Sequence, residues 1–550
     1  MRLCPDKKGI CLPVSWMSNY PRRNTHYSPD SLFLVLKSQA DKMMKYFMLM
    51  FCSMLGLLPV TGGQTLTPAQ LQTLADRHAQ KTLPELIEFL SLPNDANQPE
   101  QLEPNIEWVD KAFTGRGFAV ERLPTAGIDL VLANYLHDAN LPTVLIYVQV
   151  DGQPVDPSKW QQVTPFTPTL KEAGAGDSWQ TIDLAKLYDQ PDPDWRVFAR
   201  SASDAKGPIN MFLAAWDAMR EAGEKPPYNI KVIMDCEEEM GSPNLPDAVG
   251  VHREKLAADH LIILDGPPHF SNDPTLVFGA RGIATVTLTT YGPRLPQHSG
   301  HYGNYAPNPA LRMAQLLAGM KDETGRVTID GWYDGITISE SARTALEQVP
   351  DDAMAINRKL GIMEPDAVGA TLQESLQYPS LNIRGLASGW VGAEVRTIVP
   401  ATAVAELDIR LVKESDPDHL FGLLRNYITG QGYHIVEGEP EDEERATYAR
   451  LIAIDYTLSY AAFRTDMDSP TGQWLEKALT HTFGQTPVKI RTHGGSVPIA
   501  PFVQTLDVPA VLVPLVNPDN NQHSPNENLR IGNYFSGVKT CLGILTTAIE

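Results

Sequence analysis

Carboxylates placed directly after apolar runs are the residues of this chain whose positions could do chemistry. TVLIYVQV (143–150) is followed at once by Asp151, IKVIMD (230–235) by Glu237, Glu238 and Glu239, and HLIIL (260–264) by Asp265. Asp204 stands just before GPINMFLAAWDAMREAG (207–223), an amphipathic helix with Pro208 near its first turn, where proline is favoured. Ligands of open α/β sheets bind at the carboxyl ends of strands, so four element ends deliver acids to one rim. Such a cluster repels itself unless cations or protons neutralise it. A metal site is the economical explanation, and two divalent ions sharing one bridging carboxylate would use this many ligands. Each signal has a plainer reading: a Glu run is ordinarily a solvated helix face, and an Asp after a strand is ordinarily an N-cap. His298 and His301 in HSGH (298–301), and His523 in QHSPNE, read equally well as surface-loop residues.

The elements that must position these groups follow from the apolar periodicity. From Thr67, Leu71, Leu74, Leu83, Leu86, Ile87 and Leu90 recur at near-helical spacing. The runs 143–150, 230–235, 260–265 and AVLVPLV (510–516) read as buried strands of a mostly parallel sheet. Strand and helix in alternation predict an α/β layered domain. ATVTLTTYG (284–292) alternates as a half-buried strand should, and NPALRMAQLLAGM (308–320) and HLFGLLRNYITGQ (419–431) read as helices. VAELDIRLV (404–412) and YHIVEG (433–438) read as strands, which together give an α+β domain with an antiparallel sheet. The expected organisation is a leader over 1–63, an α/β catalytic domain in two segments, 64–282 and 467–550, and an inserted α+β lid or dimerisation domain over 283–466. The Gly-, Asp- and Pro-rich stretch 161–196 reads as a long surface loop. GAG at 174–176 lacks the dinucleotide fingerprint, and there is neither a P-loop nor a G-x-S-x-G elbow.

Composition narrows the class. Sixty-six acidic residues against forty-five basic ones give a net charge of −21 over 550 residues, which argues against a nucleic-acid partner. Cys4, Cys11, Cys52, Cys236 and Cys541 form no C-x-x-C pair and are too few for a disulfide framework. Tyr46 to Val60 is an apolar run of fifteen residues preceded by Lys42 and Lys45, too short to span a membrane and close in form to a secretory signal with cleavage after Gly63. Such a signal belongs at an N-terminus, so translation is expected to start at Met43 or Met44. The protein is then exported, periplasmic or secreted, with no stable membrane association after cleavage; an uncleaved anchor is the alternative. Phe51 before Cys52 argues against lipidation. N-terminal sequencing of the exported protein checks this, since peptides from 1–42 would reject it.

Taken in order, VLIYVQVDGQPVDPSKW (144–160), RSASDAKG (200–207), DCEEEMGSP (235–243), ILDGPP (263–268), LVFGARGI (276–283), QHSGHYGN (297–304), RTIVPATAVAELDIRLV (396–412), GGSVP (494–498) and HSPNENL (523–529) resemble the dinuclear zinc metallopeptidases that include carnosine dipeptidases, succinyl-diaminopimelate desuccinylase and aminoacylases. The dipeptidase branch fits best. The resemblance implies that Asp204 bridges two metals, that Glu239 and His523 complete one of them, and that Asp265 belongs to the other. It implies Glu238 as the general base acting on a metal-activated water, and Asp151 as the carboxylate that orients the first metal-binding histidine. His298 resembles a residue that reaches into the partner subunit's site to polarise the scissile carbonyl. Arg410, Thr397 and Ser496 would hold the C-terminal carboxylate of the substrate. The cofactors implied are one or two divalent ions, zinc or manganese, and the partners a small peptide and a second copy paired through the inserted domain.

One position departs from the pattern: H-x-D is here Gln149-Val150-Asp151. An amide oxygen is a poorer zinc ligand than imidazole, so the position pairing Gln149 with Asp265 is expected to be weak, empty of zinc, or suited to a harder ion. Asp151 would then orient an amide. The leading expectation is an exported dipeptide or short-peptide hydrolase. An N-acyl amino acid amidohydrolase of the same family and a non-catalytic peptide-binding relative are the alternatives.

Overall fold

The computed structural model describes residues 66–550 apart from Asp177. The leader reading, with Met43, Met44 and Cys52, lies outside these described residues. Among the described residues no helix is long and apolar enough to cross a membrane.

The first helix, α1 (Pro68–Leu90), begins where the sequence indicated. Thr67 Oγ1 accepts the Gln70 backbone N–H, and the Gln70 side chain accepts that of Thr67, a reciprocal cap behind a proline in the first turn. An eight-stranded sheet follows, built from β1 (Ala119–Leu123), β2 (Leu130–Tyr135), β3 (Thr143–Gln149) and, further along, β7 (Asn229–Asp235), β8 (His260–Ile263), β9 (Thr275–Val277), β15 (Val488–Ile490) and β16 (Ala510–Leu512). Its order is β1-β2-β7-β3-β8-β16-β9-β15. The centre, β7-β3-β8-β16, is parallel, while β1, β2 and β7 run antiparallel to their neighbours on one flank. The strand expected over 510–516 stops at Leu512, two residues before Pro514, which cannot donate to a ladder.

Both faces of this sheet are covered, which is why its strands read as unbroken apolar runs. Val144, Ile146 and Val148 of β3 enter one core with α1, α2 (Lys206–Glu221) and a C-terminal helix over Ile531–Thr546. Leu145 and Tyr147 enter another with Ile233, Leu261, Ile499 and Phe502. Because β7, β3 and β8 are parallel neighbours, their carboxyl ends share one edge, and Glu238, Glu239, Gln149 and Asp265 emerge there together.

A second sheet takes all its strands from 282–460: β10 (Gly282–Tyr291), β11 (Ser380–Ala387), β12 (Thr402–Leu411), β13 (His434–Val436) and β14 (Leu451–Tyr460), in the order β11-β12-β10-β14-β13. It is antiparallel except for β13, which runs parallel to β14. Along β10 burial alternates through Ala284, Val286 and Leu288, which pack on Met313 and Leu316 of α3 (Pro309–Ala318) and on Leu424 and Ile428 of α4 (Pro417–Gly430). The α/β body with an additional α+β domain is therefore the observed architecture.

The stretch 161–196 is not a loop. It carries β4 (Thr169–Ala173), β5 (Trp179–Thr181) and β6 (Arg196–Phe198), which form an antiparallel four-stranded sheet with β17 (Asn528–Arg530) in the order β17-β6-β4-β5. The pattern concealed this because a lysine occupies a core position. Lys171 is buried, donates to the Gln161 carbonyl at 2.9 Å and lies 4.3 Å from the centre of the Phe198 ring. GAG at 174–176 lies in the connection between β4 and β5.

Candidate metal centre

A cleft of about 400 Å³ opens at the shared strand edge; Gln149, Gln153, Asp204, Glu238, Glu239, Asp265 and His523 line it, and so do Arg410, Tyr460, His493 and Ser496. Asp204 is presented by the loop 200–204, which has little hydrogen bonding of its own and is shaped from outside. Glu527, fully buried, accepts the backbone N–H groups of Ser201 (3.0 Å), Ser203 (2.9 Å) and Asp204 (3.0 Å), and its carboxylate also takes Arg200 Nη1 at 2.7 Å. That arrangement holds Ser201 at a φ of 62°, which a residue with a side chain rarely adopts without such support. His523 arrives from the same segment as Glu527, at a φ of 59°.

The carboxylate run after β7 divides. Asp235 anchors the turn, accepting Tyr147 Oη (2.9 Å), Ser242 Oγ (2.6 Å) and the Glu237 N–H (3.0 Å). Glu237 turns away from the cleft, where Asn244 Nδ2 (2.9 Å) and the Ile128 N–H (3.2 Å) bind it. Glu238 and Glu239 face the cleft. Gly152 lets the next segment pass, because a Cβ there would stand 2.3 Å from Ser201 Oγ and 3.0 Å from the Asn94 amide.

His523 Nε2 lies 3.0 Å from Asp204 Oδ2 and 3.5 Å from Glu239 Oε2. These three residues bring one imidazole nitrogen and two carboxylate oxygens within 4.8 Å of one another, and among the described residues they are the one such group. The donor set fits a divalent ion such as zinc or manganese. Electrostatics point the same way. Burial, with Glu239, Asp265, Asp204 and Asp151 around it, pushes the Glu238 carboxyl well above its ordinary range. Burial and then Asp204 raise Glu239 to about 10 and Asp265 to about 7. Carboxylates so crowded hold protons when no cation is present and give them up to one that binds.

Two expected positions differ. Asp151 does not orient Gln149. One of its oxygens accepts the Glu239 N–H at 2.9 Å and the other, buried, has no partner, while the single nitrogen of Gln149 is directed to Asp204 and Glu238. Thr397 is not beside Arg410 and Ser496, which meet at 3.0 Å in the cleft. It precedes the short strand Ile398–Val399 that pairs with Gln297–His298, so Thr397 and His298 sit together, both exposed, outside the lining of this chain's cleft. The sequence pattern does not single out Gln153, Tyr460, His493 or Glu527. Gln153 Nε2 binds Glu239 at 2.7 Å, burial and then Glu238 raise the Tyr460 hydroxyl to about 12, and half-buried His493 accepts the Gly495 N–H at 3.1 Å.

The model of peptidase family M20/M25/M40 matches residues 145–547. The chain belongs to that family. As a family member it is a metallopeptidase, and the matched span runs from β3 through the helix after His523, so every cleft residue named above lies inside it. The chain is 26% identical over 422 residues to a Cys-Gly metallodipeptidase of Schizosaccharomyces pombe, covering 74% of this chain and 80% of that protein. It is 25% identical over 492 residues to the Beta-Ala-His dipeptidase of Mus musculus, covering 84% and 92%. Among solved structures, an M20 family metallo-carboxypeptidase from Sulfolobus solfataricus superposes with a TM-score of 0.68 at 27% identity, over 84% of this chain and 98% of that one.

Proposed function

We propose that this M20 peptidase hydrolyses dipeptides or short peptides carrying a free C-terminal carboxylate, with Glu238 as general base. The observation that carries the reading is the Asp204–Glu239–His523 ligand group standing with Glu238 in a cleft that the Arg410–Ser496 pair also lines. A volume of about 400 Å³ suits a dipeptide better than a polypeptide. When bound, a divalent ion supplies Lewis-acid polarisation and makes water a stronger acid. The chain's own groups do the rest. Arg410, held by Ser496, pairs with the substrate carboxylate and sets the register of the scissile bond. Glu238 accepts a proton from the attacking water as its oxygen bonds the carbonyl carbon, then returns that proton to the amine nitrogen as the C–N bond breaks. Purified protein supplied with Zn²⁺ or Mn²⁺ and a dipeptide panel is expected to release free amino acids, and chelation to abolish turnover. Turnover of N-acyl amino acids alone would shift the reading to an amidohydrolase. Peptide binding without turnover under either ion would sink it.

The same proposal includes export after leader cleavage, the domain limits 64–282, 283–466 and 467–550, and a homodimer. The limits are supported by the second sheet, whose strands all fall within 282–460. The homodimer is supported by the exposure of His298 and Thr397, two cleft-type residues that this chain's own cleft does not use. Sedimentation at micromolar concentration is expected to give a dimer, and His298→Ala to lower kcat without dissociating it. A fully active monomer would reject the dimer.

A further inference from the structure

We propose that this chain holds one metal ion rather than two, with the side-chain amide of Gln149 standing where a second ion would be shared. The inference rests on the functional reading above and concerns the position formed by Gln149, Asp204 and Asp265. Gln149 is 1% exposed, and its Nε2 donates to Asp204 Oδ1 at 2.7 Å and to Glu238 Oε2 at 3.3 Å. An amide has one donating and one accepting end, and Asp204 Oδ1, the nearer neighbour, sets the orientation: turned the other way, Oε1 would face that carboxylate oxygen and repel it. The two N–H bonds of Nε2 therefore occupy the space between the bridging carboxylate and the general base. In that orientation Oε1 is buried and finds no partner.

Asp204 is divided by this arrangement. Its Oδ2 faces His523 at 3.0 Å, on the side of the Asp204–Glu239–His523 group, while Oδ1 is taken by the amide. The second position keeps only Asp265 and a shared oxygen already hydrogen-bonded, fewer than the three protein ligands that hold a catalytic zinc. The unpartnered oxygen of Asp151 points to the same conclusion. An imidazole at 149 has two nitrogens, one for an ion and one for Asp151, whereas the glutamine nitrogen is spent on Asp204 and Glu238. The residues do not fit a second tightly held ion. They fit a partial positive charge that orders Glu238 without one.

Metal content of the full chain, measured by mass spectrometry after dialysis against Zn²⁺ or Mn²⁺, with affinities from calorimetric titration, tests this. The wild type is expected to hold one ion per chain, any second binding on the order of 100-fold more weakly. Gln149→His restores an imidazole and Gln149→Glu supplies a carboxylate, and at least one of them, folded as judged by circular dichroism, is expected to hold two. Two ions in the wild type with affinities within about tenfold would overturn the inference and leave the functional reading standing. No ion in the wild type would overturn both. One ion in the wild type and in both folded variants would overturn the assignment to Gln149.

Discussion

Glu238→Gln is expected to lower kcat for dipeptide hydrolysis by about two to four orders of magnitude, the range that a positioned general base contributes. The substitution keeps the shape of the side chain and removes only its capacity to take a proton. The Asp204–Glu239–His523 group does not include Glu238, so metal content is expected to stay at the wild-type value. KM is expected to change little, since the substitution leaves the Arg410–Ser496 pair untouched. The contact with Gln149 survives, because the new amide oxygen can accept the N–H that Glu238 Oε2 accepts now. Stability supplies the internal control. Burial and the crowding of Glu239, Asp265, Asp204 and Asp151 make the metal-free fold take up a proton at Glu238 that the unfolded chain has lost above the ordinary carboxylate range; Gln removes that cost, so near neutral pH the metal-free variant is expected to melt higher than the metal-free wild type. A variant within tenfold of wild-type kcat would assign the proton transfer to another group. Lost activity with lost metal would mean that Glu238 serves as a ligand.

The acids at strand ends were legible for a physical reason. Parallel strands covered on both faces are continuous apolar runs, so the point where polarity begins marks the edge of the sheet, and Asp151, Glu238, Glu239 and Asp265 follow such points directly. The same rule could not separate Glu237 from its two neighbours, because that choice is made by Asn244 and by the N–H of Ile128, over a hundred positions earlier. Pairing of β6 with β4 and β17 was hidden by polar residues at buried positions, Lys171 foremost, whose cost is met by a carbonyl and a ring that periodicity does not reveal. Thr397 and His298, separated by about a hundred residues in sequence, adjoin through a two-residue ladder too short to announce itself. Gln149 was legible as a departure, but the direction of its amide is decided by where Asp204 and Glu238 stand, and only the assembled site supplies that.

Glu527→Ala is expected to destabilise the protein by about 3–5 kcal/mol, the cost of leaving a buried charge without its partner. Arg200 and Glu527 are 3% and 0% exposed and face each other at 2.7 Å, so the substitution strands a guanidinium in the interior. It also removes the acceptor of three backbone N–H groups, those of Ser201, Ser203 and Asp204. A loss of this size is a large part of the 5–15 kcal/mol that stabilises an ordinary fold, and the variant is expected to accumulate poorly. The informative comparison is therefore Arg200→Met combined with Glu527→Gln, which removes both charges and keeps an oxygen for the loop. It is expected to recover most of the melting temperature, because the penalty of a broken buried pair lies in the charge left behind. Metal affinity separates the two roles of Glu527. Asp204 owes its place to that carboxylate, so the double variant, though folded, is expected to bind its ion more weakly, the introduced amide offering one oxygen where the loop used two. Wild-type affinity in a stable double variant would show that the loop holds Asp204 unaided and would reduce Glu527 to the partner of Arg200. Melting of the single variant within about 1 kcal/mol of wild type would remove the pair from the account of stability altogether.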